Sequence, residues 1–167
     1  MKKVLVPALV LIALLIGYGT FILCTVSFLP PRLATHFDIA GRPNGWMNRS
    51  TAAVLLGVIG WILPLMVAVV FGAIGFLPTR RSNMTHRDHW LSSDRREETR
   101  IYVARQGLWL ASLMVGLQAM VWYQLIESNR TNPPRLSLSH FVLALALFGA
   151  GLVVWIFRFY RHFAKAG

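Results

Sequence analysis

The chain has 167 residues, 56% of them hydrophobic and only 14% charged, with a formal net charge of +11 and a mean hydropathy of +0.55. A soluble domain carries roughly 25% charged residues, so about half the usual solubilising charge is missing. This balance excludes a disordered chain, a disulfide-stapled secreted scaffold and an ordinary soluble enzyme, and leaves an integral membrane protein.

A helix rises about 1.5 Å per residue, and roughly 20 apolar residues cross the hydrocarbon core. The first such run, residues 4–28, follows Met1-Lys2-Lys3 and ends at Leu29-Pro30-Pro31. It is longer than the roughly 7–15-residue core of a cleaved signal peptide and lacks an Ala-x-Ala-like site. It reads as a retained anchor, with Pro7 in its first turn. Cys24 is the only cysteine, so no intrachain disulfide can form. Leu23 stands where a lipoprotein signal takes a small residue, so lipidation is not expected.

The second run, residues 51–77, holds no charge and carries Pro64 near its middle. That proline predicts a kink, either static or a hinge. The third run is 106–126 and the fourth 138–157. Lipid offers no hydrogen bonds to an exposed backbone, and runs of this length without strict alternation are helices. The predicted fold class is all-α: a single membrane domain over residues 1–167, built as a four-helix bundle with a short structured outer loop (29–50) and an inner loop (78–105). Gly57, Gly60, Gly72 and Gly75 in the second span, with Gly149 and Gly151 in the fourth, predict close helix approach. Gln118 is expected to join helices through its amide, while Gln124 and His140 lie toward the outer end.

Twelve Lys and Arg fall in the N-terminus, the second loop and the tail, against five in the first and third loops. Positive residues accumulate on the cytoplasmic side, so both termini are read as cytoplasmic. The partner for this charge is then the lipid bilayer with its anionic inner leaflet. Nucleic acid is not expected, because no basic stripe interleaved with exposed aromatics is present.

In the outer loop Leu33, Phe37 and Ile39 alternate with His36 and Asp38, as on a short half-buried strand. Gly41-Arg42-Pro43-Asn44-Gly45 supplies turn chemistry, and Trp46-Met47 an interfacial anchor. On a strand His36 and Asp38 project to one face. Two ligands are too few for zinc, so no metal and no cofactor is expected. Catalysis needs an acid, a base and an orienting group within mutual reach, and no such set is legible; an enzyme is not expected.

In the inner loop Asp94 and Glu97 resemble a capping box, from which a helix runs into the third span with Arg95–Glu98 and Glu97–Arg100 at i,i+3. His86 and His89, with Asp88 between them, have the spacing of half a metal site but no further ligand nearby. Trp90-Leu91 is expected to fold onto the bilayer surface. Asn48, Asn83 and Asn129 each begin a glycosylation tripeptide, a pattern common by chance.

Leu29-Pro30, His36-Phe37, Gly41 and Asn44-Gly45-Trp46 together resemble the motif of an uncharacterised bacterial membrane family, Leu-Pro followed by Ile-x-x-His-x-x-x-x-Gly-x-x-Asp-Gly. Leu33 replaces the family's frequent Ile, and Asn44 its frequent Asp. That unit also forms the N-terminal part of proteins similar to the immunity and signalling protein of the sporulation-delay toxin system. His89-Trp90-Leu91 and Asp94-Arg95-Arg96 with Glu98-Thr99 resemble the inner loop of small proteobacterial members. The resemblance implies a multi-pass protein of the bacterial inner membrane.

The first functional expectation is a non-enzymatic envelope protein, immunity- or signalling-like, whose outer loop contacts a ligand or partner. Its candidate residues are His36, Phe37, Asp38, Gly41, Asn44, Gly45 and Trp46. The second, motivated by Pro64 and the glycines around it, is a small transporter or an accessory subunit of a transport complex. A membrane enzyme using His36 and Asp38 comes third. Helix packing within one chain, in a homo-oligomer or with a membrane protein partner stays open.

Overall fold

The computed structural model describes residues 2–74, 90, 92 and 94–164. Among these run α1 (Lys2–Thr25), a 3-10 turn (Val26–Phe28), β1 (Arg32–Phe37), β2 (Pro43–Asn48), α2 (Arg49–Ile74), α3 (Arg96–Ser128) and α4 (Leu138–Ala164). All four α-helices are long and apolar enough to cross a membrane. The two strands pair antiparallel, so the fold is four helices plus a small sheet rather than purely all-α.

The starts of α1 and α3 differ from expectation. Helix α1 starts at Lys2, which moves Pro7 beyond the first turn, where it is buried. Helix α3 runs unbroken from Arg96 into the membrane segment, but Arg95 is its N-cap and makes no side-chain capping bond, so the Asp94–Glu97 box is not what starts it. The Arg95 and Arg96 amides instead donate to the Ser92 carbonyl at 3.2 and 3.0 Å. Of the two expected i,i+3 pairs, Arg100–Glu97 forms at 3.4 Å, whereas Glu98 reaches across to Lys3 of α1 at 3.9 Å. Both Lys3 and Glu98 are exposed, so the pair contributes little.

Helix α3 is the centre against which α1, α2 and α4 pack. Leu11, Leu15, Tyr18 and Ile22 form one stripe of α1, at alternating spacings of four and three. Against them lie Ala111, Val115, Trp122 and Leu125 of α3. Lipid is as apolar as these side chains, so close fit and interhelical hydrogen bonds hold the pair together rather than escape from water. Gln118 does not supply the expected bond: it is half-buried and makes no side-chain hydrogen bond among the described residues. Instead Trp122 Nε1 donates to Thr25 Oγ1 at 2.8 Å, and Thr25 donates to the Phe21 carbonyl at 2.6 Å.

Two of the predicted glycines allow close approach. Tyr18 lies across Gly60, where any Cβ would overlap its ring, and its hydroxyl donates to the Leu56 carbonyl at 2.8 Å. Gly151 leaves room for Leu113. Gly57 has ordinary contact with Ile22, while Gly72 and Gly149 meet no neighbour within 4 Å among the described residues. Gly75 lies outside the described residues. Helix α2 continues through Pro64, which is fully buried.

At the end where α1 begins and α4 finishes, Trp90, Val103 and Phe163 make a second small core with Phe71, Tyr102 and Phe159. Trp90 Nε1 donates to the Phe163 carbonyl at 3.2 Å, and Thr99 Oγ1 donates to the Trp90 carbonyl at 2.9 Å. Trp90 is therefore packed into the protein and not laid on the bilayer, because α4 offers its indole N–H an acceptor. Asn83, His86, Asp88, His89 and Leu91 lie outside the described residues.

Candidate functional site beneath the hairpin

The hairpin is anchored first by Arg49, at the start of α2. Its guanidinium donates to the Ser27 and Leu29 carbonyls at 3.1 and 2.8 Å, and its amide to the Pro31 carbonyl at 2.9 Å. One residue thus ties the exit of α1 to the entry of α2.

Pairing runs Arg32↔Asn48, Leu33↔Met47 and Ala34↔Trp46, then shifts to His36↔Gly45 and Phe37↔Pro43. The two shifts leave Thr35 on β1 and Asn44 on β2 without a register partner. Before them, the consecutive Leu33 and Ala34 are both 0% exposed, Leu33 opposite Met47 and Ala34 opposite Trp46. Ile39, expected on the buried face, is instead 96% exposed.

Asp38 lies past the end of β1 and organises the turn. Its Oδ1 accepts from the Ala40 and Arg42 amides at 2.8 Å each, an Asx-type arrangement. His36 lies against Gly45, where a Cβ would stand 2.9 Å from the histidine Cβ, and its Nδ1 is 3.1 Å from Thr35 Oγ1. The expected same-face pair is not formed. No hydrogen bond or ion pair joins His36 to Asp38, because the strand ends between them.

The second anchor is Asn129, the C-cap of α3. Its Oδ1 accepts from the Ala34 amide at 2.8 Å, while its Nδ2 donates to the Ala34 and Leu125 carbonyls at 2.9 Å each. The side-chain amide acts as a one-residue strand beside the register shifts. In the sequence Asn129 stands out only as the start of a glycosylation tripeptide; its partner Ala34 is 95 residues away, so no local signal marks it.

Gly41 completes the attachment. It has φ +73°, and its carbonyl accepts from the Leu136 amide at 3.0 Å. A Cβ here would stand 2.5 Å from the Leu136 oxygen. Gly41→Ala is expected to cost about 1–2 kcal/mol from the left-handed conformation alone, and more from that overlap. The check is hydrogen exchange over residues 32–48, which should accelerate while the amides of α1 keep their protection.

Held this way, the hairpin roofs a groove of about 800 Å³ whose walls come from α2, α3 and the start of α4. Leu55 and Leu56, Val121 and Leu125, and Phe141 and Val142 supply the apolar walls. His36, Phe37, Asp38 and Asn44 line the roof. Gly41 and Gly45 shape it without lining it, and Trp46 projects from the exposed side of β2. Gln124 also lines the groove and is only 8% exposed as a residue; its carboxamide makes no hydrogen bond among the described residues. The arrangement admits an apolar body and offers polar groups to its head. Among the described residues, no group of three or more His, Cys, Asp and Glu is placed to hold a metal ion.

Residues 8–66 match the model of a family described as a domain of unknown function, DUF1648. The match takes in most of α1, both strands and α2 as far as Met66. It therefore covers the roof of the groove and one wall, about a third of the chain. No curated protein and no solved structure matches the chain.

Proposed function

We propose that this chain is a non-enzymatic, multi-pass protein of a bacterial inner membrane, with both termini cytoplasmic and the hairpin outside, whose groove receives an envelope ligand or partner in an immunity- or signalling-like role. The carrying observation is the groove itself: apolar walls under a polar roof, with Gln124 of α3 also lining it. Such a site suits an amphipathic occupant, because apolar walls bind without direction and a few polar groups fix orientation. The orientation is supported by the excess of Lys and Arg at the end bearing the termini.

The test compares two variants in a strain lacking the protein. His36→Ala with Phe37→Ala strips the roof of the groove, whereas Trp46→Ala removes an exposed ring on the hairpin's other side. The double variant is expected to fail to restore the deletion phenotype at normal protein level, and Trp46→Ala to restore it. Full rescue by the double variant would end the proposal. Gly60 and the buried Pro64 of α2, the residues that suggest a transporter, both have packing environments within the bundle.

A further inference from the structure

A second groove, of about 890 Å³, opens at the opposite end of the bundle between α1, α3 and α4. Its character is different. Arg105 of α3 and Arg158 and Arg161 of α4 all line it. Arg158 and Arg161 are three residues apart and so share a helix face. None of the three has a carboxylate partner: the ion pairs among the described residues join Lys3 to Glu98, Arg100 to Glu97 and Arg130 to Glu127. Arg105 lies over the Tyr102 ring at 5.3 Å, which fixes its position without neutralising it.

The surroundings of these arginines are held firmly. Tyr102 donates to the Arg158 carbonyl at 3.2 Å, and Trp155 to the Gln106 carbonyl at 3.0 Å. Both bonds tie α3 to α4 beside the groove. Away from the arginines the lining turns apolar, with Val10 and Leu14 of α1, Leu113 of α3 and Val154 of α4. From Arg105 to Leu113 this wall extends about 12 Å along the helix.

We infer that this groove is a binding site for one anionic glycerophospholipid, its phosphate held by Arg105, Arg158 and Arg161 and an acyl chain lying along the apolar wall between α1 and α4. Three uncompensated guanidiniums call for an anion, and guanidinium matches phosphate geometry through paired N–H donors. Basic pockets between membrane helices at the end of a bundle bind such headgroups. A free anion would leave the Val10, Leu14 and Val154 wall unused, and a neutral lipid would leave net positive charge unmet. Charge and wall together select the lipid.

The experiment uses the full chain in detergent, with phosphatidylglycerol or phosphatidylcholine added and retained lipid read by native mass spectrometry. Retention of phosphatidylglycerol should exceed that of phosphatidylcholine. Arg158→Gln with Arg161→Gln should weaken phosphatidylglycerol binding roughly 30-fold, from the contribution of each basic residue near a lipid surface. Arg95→Gln with Arg96→Gln, which removes the same charge from exposed positions outside the groove, should leave binding within about threefold. Val154→Trp, which fills the apolar wall and changes no charge, should also release the lipid. Equal losses in the two arginine pairs would overturn the site in favour of a diffuse field. Unchanged binding in Val154→Trp would remove the acyl chain from the groove. Displacement by millimolar inorganic phosphate would reassign the arginines to a soluble anion.

Discussion

Asn129→Ala is expected to detach the hairpin from the bundle while leaving the four helices assembled. Two of the three bonds of that one side chain join α3 to the backbone of β1, and its removal strands the amide and carbonyl of Ala34, a residue that is 0% exposed. A buried polar group without its partner costs about 1–3 kcal/mol. Two such groups put the loss at about 2–6 kcal/mol, more than a small two-stranded hairpin recovers from its own pairing. The amide orientation is fixed by its partners, since a reversed side chain would set an N–H against the Ala34 N–H. Asn129→Asp keeps the acceptor and loses both donors, so its cost should lie between wild type and alanine. Hydrogen exchange should show amides 32–48 losing protection in that order, with α1 and α2 unchanged. Uniform loss across all helices would instead make Asn129 a global packing residue. Undisturbed exchange would show that Arg49 and Gly41 hold the roof alone. Because the hairpin roofs the groove, the same variant should also abolish whatever rescue depends on His36 and Phe37.

The helices were legible because crossing a bilayer demands long uncharged runs, and that demand leaves a trace in composition alone. The extension of α3 upstream of its apolar segment was legible too, from charged residues at helical spacing. The strand was anticipated, but its register was not. The strand ends at Phe37 and Asp38 folds into a turn, so the period of two read from Leu33 to Ile39 stops short of its last two residues. Ile39 is therefore exposed, and His36 and Asp38 do not share a strand face. Of the candidate site residues, His36, Phe37, Asp38 and Asn44 meet at the groove. Gly41 and Gly45 belong to its frame, one through its backbone and one by yielding space to the imidazole. Asn129 and Gln124 entered from α3, far away in the chain, and long-range partners leave no local periodicity to read. The glycines divide for the same reason. Gly60 and Gly151 are small because Tyr18 and Leu113 sit on them, but Gly72 and Gly149 face nothing among the described residues, and sequence cannot tell these apart.

Trp122→Ala is expected to be among the most destabilising single changes in the helical part of the molecule. Its indole is 0% exposed, lies in the main core and donates to Thr25 Oγ1 at 2.8 Å. Two effects compete for the explanation, and their sizes separate them. An interhelical hydrogen bond in a membrane protein averages only about 0.6 kcal/mol, because the separated helices find other partners. Emptying a buried tryptophan site costs about 3–5 kcal/mol, and its cavity term persists in lipid because the loss is of packing contacts. Packing therefore dominates. Trp122→Phe should recover most of the loss, and Thr25→Val, which also removes the bond to the Phe21 carbonyl, should cost about 1 kcal/mol. The double-mutant cycle of Trp122→Phe with Thr25→Val should give a coupling of about 0.6 kcal/mol, measured by reversible unfolding in mixed micelles. A coupling as large as the whole alanine effect would reverse the assignment: the α1–α3 contact would then be held by a polar clasp, and Thr25 would be as intolerant of change as Trp122.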